Sequence, residues 1–195
     1  MDLSPLARER LERIGSLSPD EAQELNNERE AERALAPFFA GTADTDALRQ
    51  QVKELAESHG PDIVRQAQVK LLDAIRIQMS SEDFQRASDA ILTLEKLKGS
   101  RTNSTLEMLL GSVSSLRQRY AEVRQQAYEQ LRRQVDQQVR AQSDPARRQG
   151  LFMDAEASME ASIKSTPEWR DFMSRHDAEA ERSLHEYVSR IRASI

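Results

Sequence analysis

The three histidines, His59, His176 and His185, are the side chains with the clearest chemical potential, since imidazole binds metals and transfers protons near neutral pH. A di-iron centre in a helical bundle needs a Glu-x-x-His motif on each of two helices, and no histidine here has a glutamate three positions before it. His176 and His185 are nine residues apart, so on one helix they point in opposite directions. The sequence therefore predicts no metal site.

His176 lies in an apolar stripe beside Met173, and two interpretations follow from that position. The functional one is a phosphotransfer histidine on a helical bundle. The structural one is a histidine buried in the core or at its rim, which is the commoner outcome for a single histidine on an amphipathic helix. We favour the structural interpretation.

Nucleophilic catalysis finds no support in the sequence. The chain has no cysteine, which excludes thiolate nucleophiles, thiolate zinc sites and disulfides, and which suits a reducing compartment such as the cytoplasm. No G-x-S-x-G elbow and no phosphate-binding glycine loop occurs either. We therefore expect a non-enzymatic protein without catalytic residues and without a cofactor.

The stretch from Arg117 to Gln134, RQRYAEVRQQAYEQLRRQ, concentrates arginine in a chain whose formal net charge is −5. Its arginines, glutamines and two tyrosines would suit a nucleic-acid-associated coiled-coil protein, in which the rings stack on bases. However, acids recur within the stretch, and Glu129 with Arg133 forms an ordinary i,i+4 helix pair. We favour a protein-binding surface, with nucleic-acid binding as the alternative.

An apolar heptad runs through the same region and predicts a coiled-coil seam. Its members alternate steps of three and four residues: Leu106, Leu109, Val113, Leu116, Tyr120, Val123 and Ala127. Arg117 and Arg124 fall at position e and Arg119 at position g, so arginine would meet arginine in a pair of identical helices. Self-association through Arg117 to Arg124 is therefore disfavoured, whereas oligomerisation elsewhere is not, and this face suits an acidic helix.

Two helices of the same chain could supply that acidic neighbour. They carry the acidic rows Glu21, Glu24, Glu28 and Glu32 in the second predicted helix and Asp177, Glu179, Glu181 and Glu186 in the last. We hypothesise that the arginine-rich helix docks one of them alongside itself. Exposed pairs of this kind contribute less than about 1 kcal/mol each, so they would set the register while apolar stripes stabilise the fold.

Trp169 and Phe172 begin the last helix and either line a partner-binding pocket or belong to the core. An aromatic pair at the start of an amphipathic helix is more often core. Together with residues of the long helix they form the candidate partner-binding set: Arg117, Arg119, Arg124, Tyr120, Trp169 and Phe172.

Helices must position all of these residues. Aromatic residues make up only 5% of the chain, period-two apolar patterns are missing, and most prolines and glycines fall between helical patterns. The motif SPDE at Ser18 predicts a capping box, and Ser80 or Ser81 and Thr166 are further predicted N-caps. Pro37 predicts the end of the helix that Ser18 begins.

These patterns predict an all-α protein, an elongated helical bundle of about seven or eight helices organised around one long coiled-coil-like helix. The long helix spans about 40 residues, from about 103 to 142. Residues 1–40 are predicted to form a polar N-terminal helical arm, and residues 41–195 the helical bundle.

No stretch approaches the roughly 18 consecutive apolar residues of a membrane span, so we expect no membrane contact and a cytoplasmic location. The sequence favours a non-enzymatic helical interaction protein: an adaptor, scaffold or chaperone-like protein that presents helix faces to a protein partner. The alternative is a nucleic-acid-associated coiled-coil protein that uses the arginine- and glutamine-rich long helix.

Overall fold

A computed structural model describes residues 18–99, 104–142 and 154–195, which are almost entirely helical. Seven α-helices and one short 3-10 helix occupy these ranges, which confirms the all-α prediction. The α-helices are α1 (Pro19–Phe39), α2 (Thr45–His59), α3 (Asp62–Asp73), α4 (Ser81–Glu95), α5 (Ser104–Gln142), α6 (Asp154–Ser165) and α7 (Pro167–Ser194). Among the described helices, none has an apolar stretch of the length that a membrane crossing requires. Residues 1–17 of the predicted N-terminal arm lie outside the described residues.

Side-chain caps begin three of these helices at the predicted positions. The Glu21 N–H donates to Ser18 Oγ at 3.2 Å, and the Ser18 N–H donates to Glu21 Oε2 at 2.8 Å, which completes the capping box. The hydrogen bond from the Ser18 backbone, with a second from its hydroxyl, lowers the pKa of Glu21. The other two caps, Ser80 and Thr166, accept hydrogen bonds from backbone N–H groups at 2.9 Å and 3.2 Å.

Helix α1 continues past Pro37, so the predicted stop at this proline is wrong. The helix ends at Phe39, and the Pro37 carbonyl then accepts the Thr42 N–H at 3.0 Å. A proline so close to the helix end removes only one helical hydrogen bond. The buried ring of Phe38, only 1% exposed, offsets that loss by anchoring the last turn in the core.

The chain divides into two compact units. The first contains α1 to α4. The second consists of the segment Arg76–Met79 and the described residues between Glu107 and Ser194, so it includes nearly all of α5 together with α6 and α7.

The apolar core of the first unit is built from one side of each of its four helices. Its large, fully buried apolar side chains are Leu35 and Phe38 of α1, Leu48 of α2, Ile63, Leu71 and Leu72 of α3, and Ile91 and Leu94 of α4. Each contributes roughly 1.5–3 kcal/mol through burial. The described residues of the predicted arm thus pack as a helix of this core, while the division at residue 40 stays a prediction about domain organisation.

Lys70 of α3 pairs with two glutamates of α1. Its Nζ donates to Glu28 Oε1 at 2.5 Å and to Glu32 Oε1 at 2.6 Å. These two hydrogen bonds raise the pKa of Lys70. A lysine of their own unit thus binds Glu28 and Glu32, while the hypothesis that the arginine-rich helix docks this acidic row stays a prediction.

Helix α5, with 39 residues, confirms the predicted long helix. Among its described side chains, those of residues 104–138, the buried ones lie in the first half, at Leu106, Leu109, Leu110, Val113, Arg117 and Tyr120. The predicted heptad needs two corrections. Val123 is 42% exposed, so the buried seam ends at Tyr120, and Arg117 lies within the seam because residues spaced by four and three share one side of a helix.

Candidate functional site

An aromatic column joins α5 to α7 in the second unit. Tyr120 and His176 stack with ring centroids 4.7 Å apart, and His176 stacks on Phe172 at 5.2 Å. Phe172 contacts Trp169 at 5.7 Å, and Trp169 meets Tyr128 edge to face at 5.9 Å. The column therefore takes two rings from α5 and three from α7, and the pairing of its ends shows that the two helices run antiparallel.

The column shows what surrounds the three aromatic rings of α7. Trp169 is only 7% exposed and Phe172 is half-buried, so both pack mainly within the unit. His176 Nε2 lies 3.1 Å from the Tyr120 carbonyl oxygen, in addition to the ring stacking. These contacts hold the His176 ring between Tyr120 and Phe172, and its structural role stays a prediction.

The Tyr120 hydroxyl, at one end of the column, is held by two polar side chains. It donates to Asp177 Oδ1 at 2.7 Å and accepts from Gln78 Nε2 at 3.0 Å. Burial raises the pKa of Tyr120, and the hydrogen bond to Asp177 raises it further. The last helix thus lies beside the long helix, as hypothesised, but the contact at Asp177 comes from a tyrosine and not from an arginine.

Arg117 is buried in the same region, with 8% of its surface exposed. Its guanidinium donates to the Met79 carbonyl oxygen through Nη2. Burial lowers the pKa of Arg117, although a guanidinium stays charged at neutral pH. Of the three arginines in the candidate set, this one therefore points into the unit and not towards a partner.

Arg119 and Arg124 are exposed. The Nε of Arg119 donates to the Ser115 carbonyl oxygen of its own helix at 3.4 Å. Arg124 instead lines a cleft of about 310 Å³ that is formed by residues of α5, α6 and α7. The lining residues are Ala121, Arg124, Gln125, Tyr128, Glu160, Lys164 and Trp169.

Two groups of residues at this site were not predicted from the sequence. Gln78 and Met79 precede α4, and nothing in a single sequence indicates that this connector contacts a helix some forty residues later. Glu160 and Lys164 form an ion pair at 2.5 Å on the cleft wall, and their i,i+4 spacing is visible in the sequence. The hydrogen bond from Lys164 lowers the pKa of Glu160.

The second half of α5, residues 121–138, contains no buried side chain. Its apolar residues recur every four positions, at Val123, Ala127, Leu131 and Val135. Val123 is exposed and the other three are half-buried. We call these four residues the uncovered stripe.

Charge is distributed unevenly around the uncovered stripe. At about 100° per residue, Arg119 and Arg124 flank its beginning on either side. Glu122, Glu129 and Asp136 repeat every seven residues and lie on the side of the helix away from the stripe. The stripe is therefore bordered by positive charge where it begins. In the described part of the chain, no group of three or more histidine, aspartate or glutamate side chains is placed to hold a metal ion.

The chain belongs to a family of unknown function (DUF6657), whose model matches residues 20–195. The match extends from the first turn of α1 to the end of α7, so both compact units belong to the sequence that defines the family. No curated protein and no solved structure matches the chain.

Proposed function

We propose that this DUF6657 protein is a non-enzymatic interaction protein, an adaptor, scaffold or chaperone-like protein of the cytoplasm, and that α5 presents a helix face to an acidic amphipathic helix of a partner. The observation that carries the proposal is the uncovered stripe. A long helix whose apolar side chains stay at least partly exposed over the thirteen residues from Val123 to Val135 offers a surface onto which a second amphipathic helix packs.

The charges beside the stripe support an acidic partner. Arg119 and Arg124 would meet carboxylates on a partner helix at the positions that flank a coiled-coil seam. Such rim pairs add little affinity but speed association and reject unsuitable partners, while the stripe supplies the apolar contact. The same two arginines oppose pairing with a second copy of this helix, because like charges would then face each other.

Nucleic-acid binding remains the alternative that the sequence suggests. The exposed arginines favour it, but Glu122, Glu129 and Asp136 lie along the same half of the helix and repel phosphate. The two functions predict different results. A protein partner stays bound after nuclease treatment, whereas nucleic-acid binding is lost after it and falls steeply with salt, because phosphate contacts release counterions.

Affinity capture from native cell extract, with and without nuclease, tests the proposal. The wild-type chain is compared with Val123→Glu, which places a carboxylate in the uncovered stripe, and with Gln118→Glu, a matched control on the side of the helix away from the stripe. Both positions are exposed, so both variants should stay folded.

We expect nuclease-resistant partners whose recovery falls at least about tenfold with Val123→Glu and stays unchanged with Gln118→Glu, a difference of about 1.4 kcal/mol. Equal recovery with both variants, or recovery of nucleic acid in place of protein, would contradict the proposal.

A further inference from the structure

The cleft formed by α5, α6 and α7 has the composition of a site that anchors a protein partner. Its lining includes Arg124, Tyr128 and Trp169. Arginine, tyrosine and tryptophan are the residue types most enriched among those that dominate the binding energy of protein interfaces.

The Trp169 ring, which lines the cleft, is fixed by the aromatic rings packed against it. Trp169 is wedged between Phe172 and Tyr128, at 5.7 Å and 5.9 Å between ring centroids. A ring fixed in this way loses little conformational entropy when a ligand packs on it. The volume of about 310 Å³ lies at the lower end of ligand-binding cavities, so it suits one large apolar side chain with its adjoining backbone.

The polar rim of the cleft, as far as the structure describes its side chains, carries a net positive charge. Its ionisable side chains are the cations Arg124 and Lys164 and the carboxylate Glu160. Lys164 already donates to Glu160 at 2.5 Å, so that pair is internally balanced. Arg124, exposed at the rim, supplies the excess positive charge among these residues, and the Gln125 side chain beside it donates to Glu129 Oε1 at 3.0 Å, which leaves its amide oxygen to accept from a peptide backbone.

We propose that this cleft is the docking site for an acidic peptide segment that carries a large apolar side chain among its carboxylates. The apolar side chain packs against Trp169 and Tyr128, and a neighbouring carboxylate meets the Arg124 guanidinium. The inference rests on the proposed function and names the chemistry of the partner segment at a second surface of the same helix.

Trp169 is the only tryptophan of the chain, so its fluorescence reports on the cleft directly. The probe is a blocked synthetic peptide, Glu-Glu-Leu-Glu-Glu, which has no fluorophore of its own. It is titrated into the full-length protein alongside Glu-Glu-Ala-Glu-Glu, Lys-Lys-Leu-Lys-Lys and an oligothymidylate. We expect the change in Trp169 emission to give the leucine-containing acidic peptide a dissociation constant at least about tenfold lower than those of the other three ligands, a difference of about 1.4 kcal/mol.

Two pairs of variants separate the apolar anchor from the charge. Ala121→Leu fills the cleft, and Ala178→Leu makes the same change at an exposed position of α7 outside it. Arg124→Glu reverses the rim charge, and Arg133→Glu reverses an exposed charge of the same helix outside the cleft. The first member of each pair should weaken peptide binding at least about tenfold, or about 1.4 kcal/mol, and the second should leave it unchanged.

The inference is overturned if the acidic leucine peptide binds no better than its alanine or lysine counterparts, if oligothymidylate binds more tightly, or if both members of a variant pair behave alike. Its failure is distinguishable from failure of the proposed function. If Val123→Glu still abolishes partner capture while the peptide does not bind, the uncovered stripe remains the interaction surface and only the cleft loses its assignment.

Discussion

The two halves of α5 have similar apolar patterns but differ in how deeply their side chains are buried. Residues 104–120 contribute six buried side chains, whereas residues 121–138 contribute none. Both halves place apolar residues three or four positions apart, and both carry arginines beside them. Burial therefore depends on which residues of the unit reach each half, and periodicity specifies only which side of the helix is available for contact.

The comparison also shows how one residue type takes two roles. Arg117 in the buried half donates to the Met79 carbonyl oxygen and holds a connector against the helix. Arg124, seven residues later on the same side of the heptad, is exposed at the rim of the cleft. The first arginine stabilises the unit, while the second is free to contribute to recognition.

The largest expected contrast comes from truncating one leucine in each half. Leu110→Ala should lower the free energy of unfolding by about 2 to 5 kcal/mol, because it leaves a cavity in a packed core. Leu131→Ala removes a half-buried side chain and should cost about 1 kcal/mol or less. Denaturant unfolding of both variants measures the difference. Similar losses would mean that the two halves of α5 are equally packed in solution.

The two arginines provide the next contrast. Arg117→Ala deprives the part-buried Met79 carbonyl oxygen of this donor and should cost about 1 to 3 kcal/mol. Arg124→Ala should change the free energy of unfolding by no more than about 0.5 kcal/mol, since exposed side chains seldom contribute more. The same unfolding measurement distinguishes them. A larger effect of Arg124→Ala would remove the division of roles between the two residues.

The smallest expected effect concerns the hydroxyl of Tyr120. Because burial raises its pKa above that of the unfolded chain, the folded protein retains this proton to higher pH. The resulting stability is fully present below a pH of about 10 and is lost as the pH rises through the folded pKa. Tyr120→Phe should cost about 1 kcal/mol at neutral pH by removing the hydrogen bond to Asp177.

Unfolding free energies of wild type and Tyr120→Phe, measured from neutral to strongly alkaline pH, should therefore converge at the alkaline end. A difference between the two proteins that stays constant, or that widens as the pH rises, would show that the Tyr120 phenol is not held neutral by its surroundings.

The sequence predicted where the helices begin better than it predicted which of their residues are buried by neighbouring helices. Capping residues such as Ser18 and Thr166 act within one turn, so the helices that they begin were predicted from local sequence alone. The length of α5 followed from forty residues without a proline. By contrast, the exposure of Val123 depends on which distant residues reach it, and no local rule contains that information.

The candidate site was predicted in part for the same reason. Trp169 and Tyr120 were selected because aromatic residues on an apolar stripe are informative by type. Their arrangement into one column with Tyr128 and His176 depends on the antiparallel alignment of α5 and α7. Lys164 was missed because an i,i+4 pair resembles any solvated helix until a cleft is seen beside it.

The placement of Arg76–Met79 in the second unit has a practical consequence for dissecting the protein into fragments. A boundary drawn between α4 and α5 looks natural along the chain, yet an expression fragment that starts at Ser104 would lack the carbonyl that accepts the buried guanidinium of Arg117. It would also lack Gln78, which donates to the Tyr120 hydroxyl. A truncated α5–α7 fragment should therefore be less soluble and easier to proteolyse than the same residues in the whole chain, and a peptide spanning Arg76–Met79 added in trans is the natural way to attempt its repair.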